Sequence, residues 1–498
     1  MKLLDRAVKL FDPRVKSLDL RVKELDLKVK ALDLRVKNIN WKVGKGEFKG
    51  LVLFSIFGSM KNRILISCLL VLVSCFCLAQ NPIPAAKQTK AILITGITIH
   101  VGNGKVIENA MLGFKDGKIN MALDGSNVRL NKDFLTKYDT TINLSGAHAY
   151  PGFFAPNSTL GLNEIEAVRA TNDFNDVGSY NPHLRALIAF NMDSKVIPTV
   201  RTNGVLFSQA TPRGGVISGT SSVMALDGWN WEDAVVKQDD GVHVNFPESM
   251  QKNGWWAEPK PTEANKKYDE QLNELKKFFA DAKAYSGERN QDEKNLRFEA
   301  MRGIFEGTKN LYIHADDEKD IITAINFANQ FQIKKMVLVG GTESWRVTKM
   351  LKQNNIPVMV ARVHSLPDRQ QDDIDLPYKL PYLLQKDSIL FCLQNEGDME
   401  GMNARNIPFL AGTARAYGLT NEQAVAALSY NAARILGVDK QTGSIEEGKD
   451  ASFFISTGDA LDMRTNNVIV AFINGKNVKL TNGQQELYKK YANKYQIK

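Results

Sequence analysis

Apolar and polar positions change rhythm twice along this chain. From Ala91 to Tyr150, short β-rich runs alternate with turn signals: Ile92 to Ile99, Gly102-Asn-Gly104, Met111 to Phe114, Lys115-Asp-Gly117 and Thr141 to Leu144. That spacing predicts a small sheet. A matching set closes the chain, where Gly443-Ser-Ile-Glu-Glu-Gly-Lys-Asp-Ala-Ser-Phe-Phe-Ile455 precedes Val468 to Lys476. Ile469 to Ile473 is too apolar for an exposed edge, and Asn474-Gly475 is a hairpin dipeptide, so the C-terminal strands are expected to complete the N-terminal sheet.

Between these ends, strand-like and helix-like segments alternate, as parallel β/α units do. The expected strands are Ala149 to Phe154, Ile197 to Arg201, Leu206 to Gln209, Val223 to Leu226, Leu311 to His314, Met336 to Val339, Val358 to Val363 and Ser388 to Leu393. Eight strands fit a closed barrel. Asp320 to Phe331, Ser344 to Gln353 and Asn421 to Leu436 carry apolar residues at helical spacing. The charged stretch 259–302, amphipathic from Tyr268 to Tyr285, reads as a helical insert between the fourth and fifth strands. The expected architecture is α/β: a (β/α)8 TIM-like barrel over residues 149–440, with a composite β-sandwich built from residues 90–148 and 441–480.

Charge adds a boundary rather than a partner. The formal charge of +9 comes from the start of the chain: 16 basic and 7 acidic residues lie up to Arg63, out of 64 and 55, leaving 48 of each afterwards. A neutral body removes the compositional case for nucleic-acid binding. From Met60 the chain runs Met-Lys-Asn-Arg, then an apolar stretch to Leu78, then Ala79 before Gln80. These are the parts of a secretory signal over residues 60–79, with cleavage expected after Ala79 and a secreted or periplasmic product. Leu72-Val-Ser-Cys75 offers lipid attachment as an alternative. The mature chain is expected to have no membrane span. Residues 1–59 hold a seven-residue repeat around Leu18, Leu25 and Leu32 whose apolar residues sit on opposite helix faces, so a coiled coil is not supported. That extension is read as repetitive and basic, with Met60 as the expected start. Cys392 is the one cysteine after the signal, in the apolar run Ser388-Ile-Leu-Phe-Cys-Leu393, and reads as a core thiol.

Candidate chemistry centres on Tyr150-Pro-Gly-Phe-Phe-Ala-Pro-Asn-Ser-Thr-Leu-Gly-Leu162 and on Asn431-Ala-Ala-Arg-Ile-Leu-Gly437 followed by Gly443-Ser-Ile-Glu-Glu-Gly-Lys-Asp-Ala451. These segments resemble the amidohydrolase superfamily, in particular its imidazolonepropionase-like secreted branch, over roughly residues 90 to 480. In that superfamily the first strand reads Pro-Gly-Phe-Ile-Asp-x-His-x-His-x-Gly, and its two histidines hold a divalent metal. Here Asn157 and Thr159 stand at the histidine positions and Ala155 replaces the aspartate. Neither an amide nor a hydroxyl replaces imidazole toward zinc. The resemblance further implies a histidine after the fifth strand, which His314 supplies, one after the sixth, where Gly340 stands, and an aspartate after the eighth. Gln394 or Asn395 occupies that last region, with Asp398 several residues late.

A recruited metal site would draw on His314 and His364, with Glu343, Glu396 or Asp398 as carboxylate partner. No cofactor is assigned from the sequence; a single zinc or another divalent ion is what such a recruited site would hold. His100, His148, His183 and His243 show no ligand spacing. Pro212-Arg-Gly-Gly-Val-Ile-Ser-Gly-Thr-Ser-Ser222 lacks a phosphate-binding Lys-Ser/Thr ending and reads as a tight barrel loop. Trp229 and Trp231, with Trp255 and Trp256, are the aromatic candidates for a pocket. The resemblance implies a hydrolase of non-peptide carbon–nitrogen bonds, while the missing imidazoles imply lost or altered catalysis. The alternative is a non-catalytic binding or partner subunit, taking a small-molecule ligand or pairing with a catalytically complete relative; an oligomer is left open.

Overall fold

A computed structural model describes residues 83–497, apart from 127, 129–135, 252–253, 256–257, 260–261, 289–292 and 370. The basic repeat, the Met60 signal and Cys75 lie outside the described residues. Two eight-stranded sheets organise the rest.

The first sheet is assembled from both ends of the chain. Strands β1 (Ile92–His100), β2 (Val106–Lys115), β3 (Lys118–Asp124), β4 (Thr140–Asn143) and β5 (His148–Pro151) come from the N-terminal side. The C-terminal segments Phe453–Ser456, Val468–Ile473 and Lys476–Asn477 continue that sheet through β5, with Phe453 opposite Pro151 and Ser456 opposite His148. Both β4 and β5 pair with the same side of β1, at different ends. Alternating inward residues, among them Ile97, Ile99, Leu112, Phe114, Phe453, Ile455 and Phe472, make one core on the inner face.

The second sheet runs β6 (Phe153–Ser158), β7 (Val205–Ala210), β8 (Ile217–Ala225), β9 (Val235–Asn245), β10 (Asn310–Ala315), β11 (Met336–Gly340), β12 (Val358–Val360) and β13 (Phe391–Leu393) in spatial order. It is nearly closed; among the described residues no ladder joins β6 to β13. Most of these strands are buried on both faces, as a barrel wall flanked by helices requires.

Two expectations change here. Ile197 to Arg201 is not a strand but lies in the helix α1 (Val196–Arg201). Its β-branched run imitates a strand, yet Pro198 falls in the first turn, where a missing N–H costs nothing. The fourth strand is β9 instead, disguised in the sequence by Lys237, Gln238, Asp239 and Asp240. The strand expected at Val223 to Leu226 belongs to β8, which runs antiparallel to both β7 and β9. The strand count survives, and one strand of the barrel is reversed.

The insert forms α2 (Tyr268–Gly287) and α3 (Leu296–Glu306), packed together between β9 and β10. Helix α4 (Glu318–Gln330) buries Ile321, Ala324, Ile325 and Ala328 along one face. After β13 come α5 (Ile407–Ala416), α6 (Asn421–Leu428) and α7 (Tyr430–Leu436), the last two broken at Ser429. Thr420 and Gln423 cap α6 reciprocally. The turn after α7 needs Gly443: its φ is +93° and a Cβ there would lie 2.4 Å from the Cβ of Ala433.

Candidate functional site

The C-terminal ends of β9, β10 and β11 and the turn after β13 surround a cleft of about 490 Å³, lined in part by Asn245, His314, Gly340 and Glu396. Its rim carries Glu248, Asp316, Asp317, Asp320 and Asp368, with Arg369 as the counter-charge. Arg369 donates to Glu343 at 2.7 Å and reaches Asp317 at 3.7 Å, so part of the acidity is neutralised internally.

Beneath this cleft the polar side chains form one connected run. The Asn157 side chain donates to Glu396 Oε2 at 2.8 Å, and its Oδ1 accepts from Arg213 at 2.9 Å. Arg213 also donates to the Asn157 backbone carbonyl at 2.8 Å and to Glu400 at 2.9 Å. Asn157 is fully buried and left-handed, with φ +48°, a conformation asparagine tolerates better than most residues. Glu396 Oε1 lies 3.6 Å from His314 Nδ1. On the other side, His314 Nε2 lies 3.0 Å from His243 Nδ1, and His243 Nε2 lies 3.0 Å from the Ser221 hydroxyl. Ser221 donates to Asp240 Oδ1 at 2.8 Å, while Tyr312 and Gln209 donate to Asp240 Oδ2.

Environment sets the charge of each member. Burial pushes the Asp240 carboxyl above its ordinary value despite the donors from Tyr312, Ser221 and Gln209. Burial, with His314 and Arg213 nearby, drives His243 well below the usual imidazole range, so it is neutral at ordinary pH. For Glu396 burial acts upward and is overcome by His314, Arg213 and the Asn157 amide, which together bring it down to about 2. The mouth thus holds a fixed carboxylate, a fixed guanidinium and a neutral buried imidazole.

The sequence-derived candidates divide clearly. Asn157, His314, Gly340 and Glu396 come together. Thr159 is buried nearby, and its hydroxyl has no protein partner. Gly340 has φ +87°, and a Cβ there would stand 2.6 Å from Asp316 Oδ1, so a histidine would strain this backbone and displace the Asp316 side chain. His364 is bonded through Nε2 to Thr413 at 2.7 Å and packs edge-on to Tyr378, and Asp398 is exposed; neither lines the cleft. Glu343 is buried against Arg369 and the Glu318 N–H rather than facing His314.

Trp229 and Trp231 are corrected most sharply. Because β8 is reversed, Met224 stands opposite Val235 at the start of β9, and both tryptophans follow β8 at the far end of the barrel. Trp229 is 71% exposed and Trp231 packs on the core, so they frame no pocket at the mouth.

Two residues were missed. Arg213 lay within the loop 212–222, whose glycines drew attention away from its single cation. His243 could have been found once β9 was recognised, since it sits directly opposite Tyr312 in the ladder and two residues short of the strand end. Four of the six histidines form contacting pairs, the second being His100 and His148 at 3.1 Å, with His100 also bonded to Glu422.

A model of the amidohydrolase family matches residues 384–478, the segment from β13 through the closing strands. The crystal structure of an amidohydrolase from Thermotoga maritima is similar over 78% of this chain and 99% of its own, at 25% identity and a TM-score of 0.66. The chain is similar to the amidohydrolase superfamily in its fold and in this closing segment. A putative prolidase from Bifidobacterium longum is a more distant likeness, at 13% identity and a TM-score of 0.47, covering 81% of this chain and 100% of its own. No curated relative matches. Among the described residues of this amidohydrolase-like chain, no three His, Cys, Asp or Glu side chains converge as metal ligands do, and no helix is long and apolar enough to cross a membrane.

Proposed function

We propose that this amidohydrolase-like chain binds a small amide- or amine-bearing molecule at the barrel mouth without metal-activated hydrolysis. The observation that carries the reading is Arg213. Its guanidinium holds the side-chain and backbone oxygens of Asn157 and the Glu400 carboxylate, at the strand position where superfamily members place two imidazoles. A resident cation beside that position repels a second one.

The residues present do not fit the divalent metal of the superfamily. Asn157 Oδ1 is committed to Arg213, and Gly340 supplies no ligand and holds a left-handed backbone that disfavours a histidine. Glu396 meets His314 on the nitrogen turned away from His243, so these three donors do not converge on one point. What remains is a recognition surface. Glu396 accepts an N–H, and the acidic rim favours cationic or donor-rich ligands over anions. The wall beneath is rigid because every polar member of the run is hydrogen-bonded.

The Met60 signal, with cleavage after Ala79, would deliver this protein to the periplasm or the exterior. There it would serve as a binding protein or as the partner of a catalytically complete relative. A second reading, hydrolysis of non-peptide carbon–nitrogen bonds with a reduced metal site, rests on one feature: His243 Nδ1 and His314 Nε2 face each other at 3.0 Å.

Calorimetric screening of amides, lactams, imides and amines against the mature protein, with product analysis of each mixture, separates the two. Saturable binding with no product, lost in Glu396→Gln, is expected. Turnover abolished by a chelator would overturn the reading.

A further inference from the structure

The opposite end of the barrel holds a second cavity of about 460 Å³, bounded by the starts of β9 to β13 and by the end of α7. Its walls carry five cations, Lys237, Lys334, Lys335, Lys352 and Arg434, and no carboxylate side chain. None of the five forms an ion pair with a described carboxylate. Lys237 donates to the Leu436 carbonyl at 2.7 Å and Lys352 to the Asp387 carbonyl at 3.2 Å, while Arg434 lies over the Tyr430 ring. Five cations around one concavity, with no carboxylate among its walls, are a local concentration of charge.

Lys237 makes the concentration costly. It is half-buried, and burial holds it below the ordinary lysine range, with Lys335 adding repulsion and the carboxylates of Asp240 and Asp439 only partly offsetting both. Asn310, 7% exposed, fixes one wall by donating to Tyr312 and to the Ile435 carbonyl. A concave site with a fixed polar wall and convergent unpaired cations suits an oxyanion of more than one charge, which several ammonium groups can contact at once. The concavity argues for a small solute rather than an extended surface such as a membrane.

We propose that this cavity is a binding site for a small phosphate-type polyanion, separate from the barrel mouth and independent of what binds there.

Titration of the full protein with inorganic pyrophosphate by isothermal calorimetry tests this. Saturable binding is expected, weakened about tenfold or more by Lys335→Glu or by Lys352→Glu, and weakened by added sodium chloride. Lys349→Glu makes the same change of charge on a lysine outside the cavity and is expected to leave the affinity within about twofold. Because Lys335, Lys349 and Lys352 are exposed, circular dichroism should report folded protein in all three variants. No saturable heat with pyrophosphate would overturn the proposal. So would an equal loss in Lys349→Glu and Lys335→Glu, since the attraction would then belong to the overall field and not to the cavity.

Discussion

The two ends of the barrel use charge in opposite ways. At the C-terminal end the charged groups answer one another: Arg213 holds Glu400 and Asn157, Arg369 holds Glu343, and Glu396 lies between His314 and Asn157. At the N-terminal end five cations line a cavity with no carboxylate side chain among them. Charges paired inside a protein are part of its architecture, and losing one partner leaves the other buried and uncompensated. Charges left unpaired at a surface contribute little to folding and are available to a ligand. The difference separates a mouth whose polar groups are largely spent on holding themselves in place from a far end whose polar groups are not.

Substitutions should grade accordingly. Arg213→Ala, which strands Glu400 and both oxygens of Asn157, is expected to cost about 3 kcal/mol or more in urea unfolding. Arg213→Lys should recover only part of this, since one ammonium cannot reproduce the fork of contacts. An Arg213→Ala protein as stable as the parent would break the comparison. Gly340→His, which restores a superfamily residue, is expected to destabilise by about 2 kcal/mol rather than create a site, because the backbone is left-handed and Asp316 fills the space.

The pH dependence sharpens the same contrast. Glu396 is held at about 2 in the folded chain, below its ordinary 4.5. A depressed carboxylate contributes fully above the unfolded value, and that contribution is lost as pH falls from about 4.5 toward 2. Acid unfolding should therefore steepen across this window, and Glu396→Gln should flatten it. The smallest effect belongs to the far end: Lys335→Glu should shift stability by no more than about 0.5 kcal/mol in either direction.

Sequence legibility followed the same geography. The composite sheet was readable because its strands alternate cleanly and its turns carry Asn-Gly and Asp-Gly pairs. The parallel strands β10 to β13 were readable as short apolar runs. Between Val196 and Asn245 the strand at Leu206 to Gln209 was readable and its surroundings were not: a β-branched helix looked like a strand, and a charged strand looked like a loop. Both the reversal of β8 and the position of His243 were hidden by that exchange. The tryptophans, read as pocket candidates, lie away from the mouth because a reversed strand carries its following loop to the other end. Arg213 stayed invisible for a different reason, since its role depends on Asn157 and Glu400, 56 and 187 residues away. Asn157 and Gly340 were legible as departures from a motif, but what fills their places required the structure.

Metal content is the most direct test of an arginine-held mouth. Elemental mass spectrometry on protein expressed from Gln80 onward, purified without chelators, should be paired with thermal unfolding in the presence and absence of a chelator. Substoichiometric metal and an unchanged midpoint are the expected results. Near-stoichiometric zinc, manganese or iron, lost in His314→Ala and stabilising the fold, would show that the His243 and His314 pair holds an ion after all and would contradict the account.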